Sequence, residues 1–445
     1  MPETRISPAR GVALGCLEEI FTQGRTLLEL SGMLDDSRLS AQDHALAREI
    51  VLGTCRWWGR IRFELVTLAP RLHKFPPLVQ RILELSVYQL MELERVPDYA
   101  VISQAVELTR QQRFEGLTRA VNGILRNYIR QKNDFPYPSV KKNPARHLSV
   151  LESHPLWLIE RWLELWRGED VKALAQFNNT RAPLSLRVRT SMEQAVQELE
   201  QRGIDYTVDE RFPNRIVLQS VHDMPELLLS PHWLVQDGGA MFAALLMDPQ
   251  PEWKVWDVCA APGGKTFQLA DLSKGKARIF ATDKSRTRLE KLKIQQEKLG
   301  LQQIETQVLD VRAEQVRLGS RLFDAILLDV PCTGWGTFRR HPDLRWRLQP
   351  TDSARLGELG LSLLERVQAY LKPGGVLVYS TCTLSPEENE RVVQKFLNRY
   401  PKYTIESASE FVSPVFASAV DPEGWIRIMP QRWQLDGAFA VRLRG

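Results

Sequence analysis

Two of the five cysteines stand where short apolar runs end. AILLDV leads into Asp329-Val330-Pro331-Cys332-Thr333-Gly334, and VLVYST leads into Ser380-Thr381-Cys382-Thr383. Neighbouring strands of a sheet lie about 4.8 Å apart, so two such thiols could reach one small ligand. A lone cysteine at a strand end is usually a small buried hydrophobe. A pair of them with Asp329 allows more. Carbon 5 of a pyrimidine is too weak a nucleophile to take a methyl group directly, but a thiolate adding at carbon 6 turns the ring into an enamine whose carbon 5 can. A carboxyl group at N3 and the exocyclic amine would offset the charge the ring gains. A second group would then assist loss of the carbon-5 proton and release of the thiolate. Chemistry alone leaves open which cysteine attacks.

The run VWDV is followed by Cys259-Ala260-Ala261-Pro262-Gly263-Gly264-Lys265-Thr266. A phosphate loop of the form G-x-x-x-x-G-K-[ST] would need glycine at position 259, where cysteine stands. A dinucleotide fingerprint fails too, because only two adjacent glycines are present. A small-residue turn at a helix N-terminus remains, suited to close backbone approach by a ligand. Asp283 ends the next run, IFATD, where a carboxylate can accept both ribose hydroxyls of an adenosine. Asp310 closes the third run and is expected to face the adenine. An adenosine site without a phosphate cradle points to S-adenosylmethionine.

These residues need a sheet to hold them. From about Val235, apolar β-branched runs alternate with helical segments such as Arg286 to Leu299 and Ser353 to Leu371, which predicts a doubly wound parallel sheet. Ligands then bind outside the carboxyl ends of the strands. At roughly 150 residues per domain, 445 residues suggest about three domains. The expected division is 1–145, all helical; 146–234, a small α/β module; and 235–445, a catalytic α/β domain. Leu46, Ile50, Trp57, Ile61 and Leu65 share one helix face, as do Val79, Ile82, Leu83, Leu90 and Leu93. A further helix from about Gly116 to Gln131 is expected to bury Leu117, Val121, Ile124 and Tyr128, leaving Arg119, Arg126 and Arg130 as one basic stripe. The segment NDFPYPSVKKNPAR reads as a linker. Between Arg110 and Arg146 nine basic residues meet only Glu115 and Asp134, so this stretch carries more than the chain's whole net charge of +5. Localised positive charge suits a polyanionic partner.

Other classes drop out. The cysteines are odd in number and widely spaced, with no C-x-x-C, which argues against a disulfide framework or a zinc site and suits a reducing cytosol. No metal is expected. No apolar run approaches the roughly 20 residues of a membrane span, and the first residues lack an apolar signal segment. A cytoplasmic protein without a membrane partner is the expectation.

DVCAAPGGKT, LLDVPCTGWGTFRRHPDLRW and VYSTCTLSPEENERVV resemble successive motifs of the RNA cytosine-C5 methyltransferases. QDHALAREIVLGTCRWWGRI, LELSVYQL, ISQAVELTR and AVNGILRNYIR resemble the NusB-like RNA-binding domain. Together they are similar to the bacterial 16S ribosomal RNA methyltransferase B (Sun/Fmu) family over nearly the whole chain. The resemblance implies a Rossmann-like class I catalytic domain, S-adenosylmethionine as cofactor and 16S ribosomal RNA as partner. A monomer is expected. The resemblance makes Cys382 the nucleophile and Cys332 the residue assisting product release. Cofactor contacts would come from Cys259, Ala260, Ala261, Pro262, Gly263, Gly264, Lys265, Asp283, Asp310 and Asp329, with Asp329 between cofactor and base. Arg119, Arg126 and Arg130 would bind RNA.

Three segments depart from the family pattern. Arg187-Val188-Arg189 stands for R-V-N, Gln236-Asp237-Gly238-Gly239-Ala240 for a Gln-Asp-x-x-Ser segment, and Asp436-Gly437-Ala438-Phe439 for Asp-Gly-Phe-Phe. They bear on RNA positioning and the pocket wall. The competing readings are the same chemistry on tRNA or 23S RNA, and a non-catalytic RNA-binding assembly factor. A DNA cytosine methyltransferase would carry its nucleophile in the Pro-Cys motif.

Overall fold

The computed structural model describes residues 7–35, 39–219, 227, 230–313 and 318–445. It divides into two compact units, Met1–Thr180 with Phe338–Pro350, and Arg181–Thr337 with Thr351–Gly445.

The first unit is helical. Its helices Pro8–Gln23, Ala41–Leu68, Pro77–Glu92, Asp98–Gln111 and Thr118–Gln131 bury one core that includes Ile50, Ile61, Leu65, Ile82, Leu83 and Val121. Ser40 caps the long second helix by accepting from Asp43 N at 3.1 Å, and Pro77 starts the third where a missing N–H costs nothing. The last of the five begins at Thr118 after a short 3-10 turn, not at Gly116. It buries Leu125, whereas Leu117 and Ile124 lie only partly covered at the core's edge. A 3.6-residue period turns Leu125, four past Val121 and three before Tyr128, to the middle of the buried face.

The proline-rich segment after it is no detached linker. Phe135 joins the core, and Tyr137 donates to Glu64, a fully buried carboxylate that also accepts from Arg60 Nε at 2.8 Å and Tyr128 OH at 3.0 Å. Three donors answer a charge that would otherwise be costly to bury. Helices Pro144–Leu151, Leu156–Leu165 and Gly168–Asn178 follow. Phe338–Pro350 packs in this unit through Trp346, which donates to Cys55 O at 2.6 Å, and through buried Arg345, which donates to Ser153 O and Asn179 Oδ1 at 3.1 and 3.0 Å.

The second unit contains two sheets. The smaller joins β1 (Leu184–Val188), β2 (Tyr206–Val208), β3 (Arg215–Leu218) and β4 (Trp233–Val235) in the order β2-β3-β1-β4, all antiparallel. With the helix Met192–Gln201 these four strands make the small α/β module expected. The larger contains β5 (Lys254–Asp257), β6 (Arg278–Asp283), β7 (Ile304–Val308), β8 (Phe323–Asp329), β9 (Leu371–Thr381), β10 (Thr404–Glu406) and β12 (Ala438–Arg444), ordered β10-β12-β9-β8-β5-β6-β7. Strand β11 (Ile426–Ile428) pairs beside β12. Five strands are parallel, as expected. Beyond β9 the sheet continues with β12, which runs antiparallel to β9 and β10.

Both faces of the parallel strands are buried. Val255, Ala325, Leu327, Val376 and Val378 enter one core. Their chain neighbours Trp256, Ile326, Leu328, Leu377 and Tyr379 enter the other, the two-residue period of a pleated strand. Strand order reverses at β5, between β6 and β8. In open sheets of this kind the crevice for ligands lies at that switch point. No helix among the described residues is long and apolar enough to cross a membrane.

Candidate active site

Past β5 the chain turns through Val258–Gly263 into the helix Gly264–Leu272. Ala260 N donates to Thr282 O at 2.8 Å, tying the turn to β6. The Ala261–Pro262 peptide is cis, and Gly263 has φ 113°. A Cβ at Gly263 would lie 2.7 Å from Phe267 and 2.9 Å from Leu292, so neither conformation nor space admits a side chain. Asp283 ends β6 and fixes the turn from the side: its Oδ2 accepts from Ala261 N at 3.3 Å and its Oδ1 from Ser285 N at 2.8 Å. Each oxygen keeps a lone pair for a ligand hydroxyl.

A cleft opens here, lined by Cys259, Ala261, Asp283, Asp310 and Asp329 among others. Asp310 lies just beyond the end of β7. Arg312 donates to it through Nε at 3.0 Å and a terminal nitrogen at 2.7 Å, and these bonds hold its carboxyl down at about 2. Burial pushes the Cys259 thiol up to about 12, with Asp257, Asp329 and Asp283 adding to the effect. Asp257, at the foot of the turn, was not expected from sequence. It is buried, accepts from Thr266 Oγ1 at 2.7 Å, and is pushed by burial up to about 7.

A second cleft, about 60 Å³, adjoins the first and is lined by Cys382, Lys265, Asp329, Ser380, Gly437 and Ala438, with others. Asp329 is common to both. Its Oδ1 accepts from Ser380 Oγ at 2.7 Å and its Oδ2 from Lys265 Nζ at 2.8 Å. Burial disfavours the Lys265 charge, but Asp329 more than offsets this and leaves the ammonium favoured. Lys265, read with the cofactor turn, thus belongs to the cleft of Cys382.

The two sulfurs are 3.2 Å apart. Cys382 is exposed and Cys332 partly covered. The contact with Cys382, then burial, holds the Cys332 thiol well above its ordinary value. Gly336 N donates to Cys382 O at 3.1 Å and Gly437 N to Gly336 O at 2.8 Å. A Cβ at Gly336 would meet Gly437 Cα at 2.5 Å, so the two turns around Cys382 close only through glycine.

The departing segments have structural partners. Asp237 Oδ1 accepts from Gly239 N and from Asp436 N, each at 2.8 Å, and a Cβ at Gly239 would lie 2.2 Å from Asp436 O. Arg189 binds Asp271 through two nitrogens at 3.1 and 2.9 Å, alongside Arg187 at 2.5 Å. Arg119, Arg126 and Arg130 are exposed on Thr118–Gln131. Arg126 and Arg130 touch only Asn122 and Asn127 at 3.1 and 3.3 Å, and among the described residues no carboxylate neutralises the stripe.

Comparison with known proteins agrees with this architecture. Residues 244–444 match the model of the 16S rRNA methyltransferase RsmB/F family, residues 7–130 the NusB family, and residues 154–224 the ferredoxin-like domain of RsmF/B-like methyltransferases. The chain is 34% identical to a probable ribosomal RNA small subunit methyltransferase B of Synechocystis sp., over 98% of this chain and 99% of that one. It is 30% identical to the probable methyltransferase of the same name from Bacillus subtilis, over 98% of each. The crystal structure titled PH0851 superposes with a TM-score of 0.81 at 25% identity, covering 98% of this chain and 99% of the other. The N-terminal helices are thus NusB-like, the antiparallel module ferredoxin-like and the C-terminal domain a Rossmann-like methyltransferase domain. This chain belongs to the ribosomal RNA small subunit methyltransferase B family.

Proposed function

We propose that the protein methylates carbon 5 of a cytosine in 16S ribosomal RNA, with Cys382 as nucleophile, Cys332 assisting release and S-adenosylmethionine as methyl donor. The observation that carries this reading is that Cys382 lines a cleft sharing Asp329 with the adenosine-type cleft, with the Cys332 sulfur 3.2 Å from its own. The residues present fit the cofactor. Ala261 and Asp283 line the cleft, Gly263 allows the turn that shapes it, and Asp283 keeps acceptors free for ribose hydroxyls. The cofactor, when bound, supplies an electrophilic methyl group on sulfur.

In this scheme the Cys382 thiolate adds to carbon 6 of the base, forming the sulfur–carbon bond and moving the ring electrons toward carbon 5. Asp329 faces the base edge, and the Lys265 ammonium beside it counters the charge the ring gains. Carbon 5 would then take the methyl carbon, the sulfur–methyl bond breaking with its electrons on sulfur so that the cofactor leaves as a neutral thioether. Cys332 then assists departure of the carbon-5 proton, and those electrons re-form the double bond as Cys382 leaves. Residues 1–145 serve as RNA-binding domain, with Arg119, Arg126 and Arg130 on phosphates. Residues 146–234 position RNA, and 235–445 carry the chemistry. All five cysteines are free, which fits a cytoplasmic, reducing setting.

The test is methyl-labelled cofactor with ribosomal RNA from cells lacking the gene, and tRNA in parallel, followed by nucleoside analysis. Label in 5-methylcytosine of the 16S fraction is expected. Label in tRNA alone overturns the substrate, and label in another nucleoside overturns the chemistry.

A further inference from the structure

Neither thiol is held by its own surroundings alone. Two consecutive residues in the turn that leads into the helix Glu390–Arg399 grip the two cysteine loops separately. Glu388 takes the Cys332 loop: Oε2 accepts from Thr333 N at 2.7 Å and Oε1 from Thr333 Oγ1 at 2.5 Å. Asn389 takes the Cys382 loop: Oδ1 accepts from Thr381 Oγ1 at 2.6 Å, and Nδ2 donates to Thr383 O at 3.0 Å. A bridge closes the bracket, since the Thr333 and Thr383 hydroxyls are 2.7 Å apart. With the Thr333 proton given to Glu388, Thr383 is the donor in that bridge. Every hydroxyl in the set is therefore committed in one direction.

Glu388 is a costly residue to place here. It is 1% exposed, and no lysine or arginine bonds its carboxyl among the described residues. Burial raises that carboxyl to about 7, against hydrogen bonds from Thr333, Ser353 and Ser385. An apolar side chain would avoid the cost of desolvation. What a carboxyl supplies instead is two acceptors on one rigid plane, matched to the N–H and O–H of a single threonine.

We infer that Glu388 is a positioning residue that sets Cys332 against Cys382 by clamping Thr333, while Asn389 sets Cys382 from the adjoining position. It lines neither cleft, and it acts through the register of the two loops. The use of that register in catalysis rests on the function proposed above; the register itself does not.

The experiment is therefore a thiol measurement on the full-length protein, without RNA or cofactor. Phenylarsine oxide captures two thiols only when they are adjacent, and iodoacetamide alkylates exposed Cys382 singly. Glu388→Ala is expected to lower dithiol capture about tenfold or more, since errors near 1 Å suffice to spoil such geometry, while alkylation of Cys382 stays at the wild-type rate. Glu388→Gln keeps one acceptor for Thr333 N but turns a donor on Thr333 Oγ1, so the Thr333–Thr383 bridge must reverse, and capture is expected to recover only in part. Thr333→Val keeps the backbone bond, loses the hydroxyl, and is expected to lose capture in part. In methylation assays Glu388→Ala should lower kcat and leave KM for RNA unchanged. A folded Glu388→Ala protein with wild-type capture overturns the inference. Should that variant fail to fold, wild-type capture by folded Thr333→Val overturns it equally. Normal capture loss with no methylation by the wild-type protein would leave the clamp standing and sink the proposed reaction.

Discussion

The Lys265 ammonium donates to Asp329 Oδ2 at 2.8 Å, which places the second residue of the helix Gly264–Leu272 in the cleft of Cys382 and not beside Asp283. The segment that starts at the cleft of Asp283 thus ends at the cleft of Cys382. Lys265→Met should lower single-turnover methylation by about 10²-fold, the usual loss when one preorganised charge partner is removed. Cofactor affinity, measured by calorimetry, should change little. Lost affinity with normal turnover would return Lys265 to the cofactor.

The cysteine roles separate on a denaturing gel. Cys382→Ala should form no covalent complex with RNA and no 5-methylcytosine. Cys332→Ala should attack but release slowly, so a denaturant-stable protein–RNA adduct accumulates. An adduct that persists in Cys382→Ala and vanishes in Cys332→Ala reverses the assignment.

The strand ends are legible in the sequence because parallel strands read as continuous apolar runs, and the chemistry hangs from their carboxyl ends. The antiparallel edge is not. Strand β12 is buried on both faces, and its Arg442 is covered by Glu406 and by the carbonyls of Leu246 and Met247, at 2.6 and 2.7 Å. Charge inside a strand hides the pattern that would identify it, and its partners lie far away in sequence. β2 and β4 span three residues each, too short for a period to register. Asp257 and Glu388 were missed for another reason. A single carboxylate carries no sequence sign of burial, and each is recognised only when its threonine partner is seen in space.

Gly263 offers a backbone test. At φ 113°, with Phe267 and Leu292 inside 3 Å of a Cβ, Gly263→Ala should cost about 1–3 kcal/mol in denaturant unfolding. Cofactor binding should weaken more than stability alone requires, because the turn itself moves. Wild-type stability with normal binding would show that the turn relaxes freely.

In the proposed function the basic stripe on Thr118–Gln131 would meet phosphates without specifying sequence. Arg126→Ala should weaken RNA binding and lower the slope of log affinity against log salt by about 0.7–0.9, the value of one lost phosphate contact. An unchanged slope would make this a solvated helix face.

Asp257 gives the pH dependence of stability a definite sign. Its folded carboxyl titrates at about 7, above the ordinary value of 3.8, so between these values the folded state binds the proton and the unfolded state has released it. Stability from this group is complete below the unfolded value and declines as pH rises toward 7, then stays level. Glu388, also raised to about 7, contributes in the same direction. Asp257→Asn removes only the first contribution, and its amide oxygen can still accept from Thr266. Denaturant unfolding of wild type and variant across pH 4 to 8 should therefore diverge, with the variant gaining on the order of a few kcal/mol by pH 8. Parallel curves would mean that Asp257 is ionised throughout, its charge answered by Thr266 and the helix N-terminus above it.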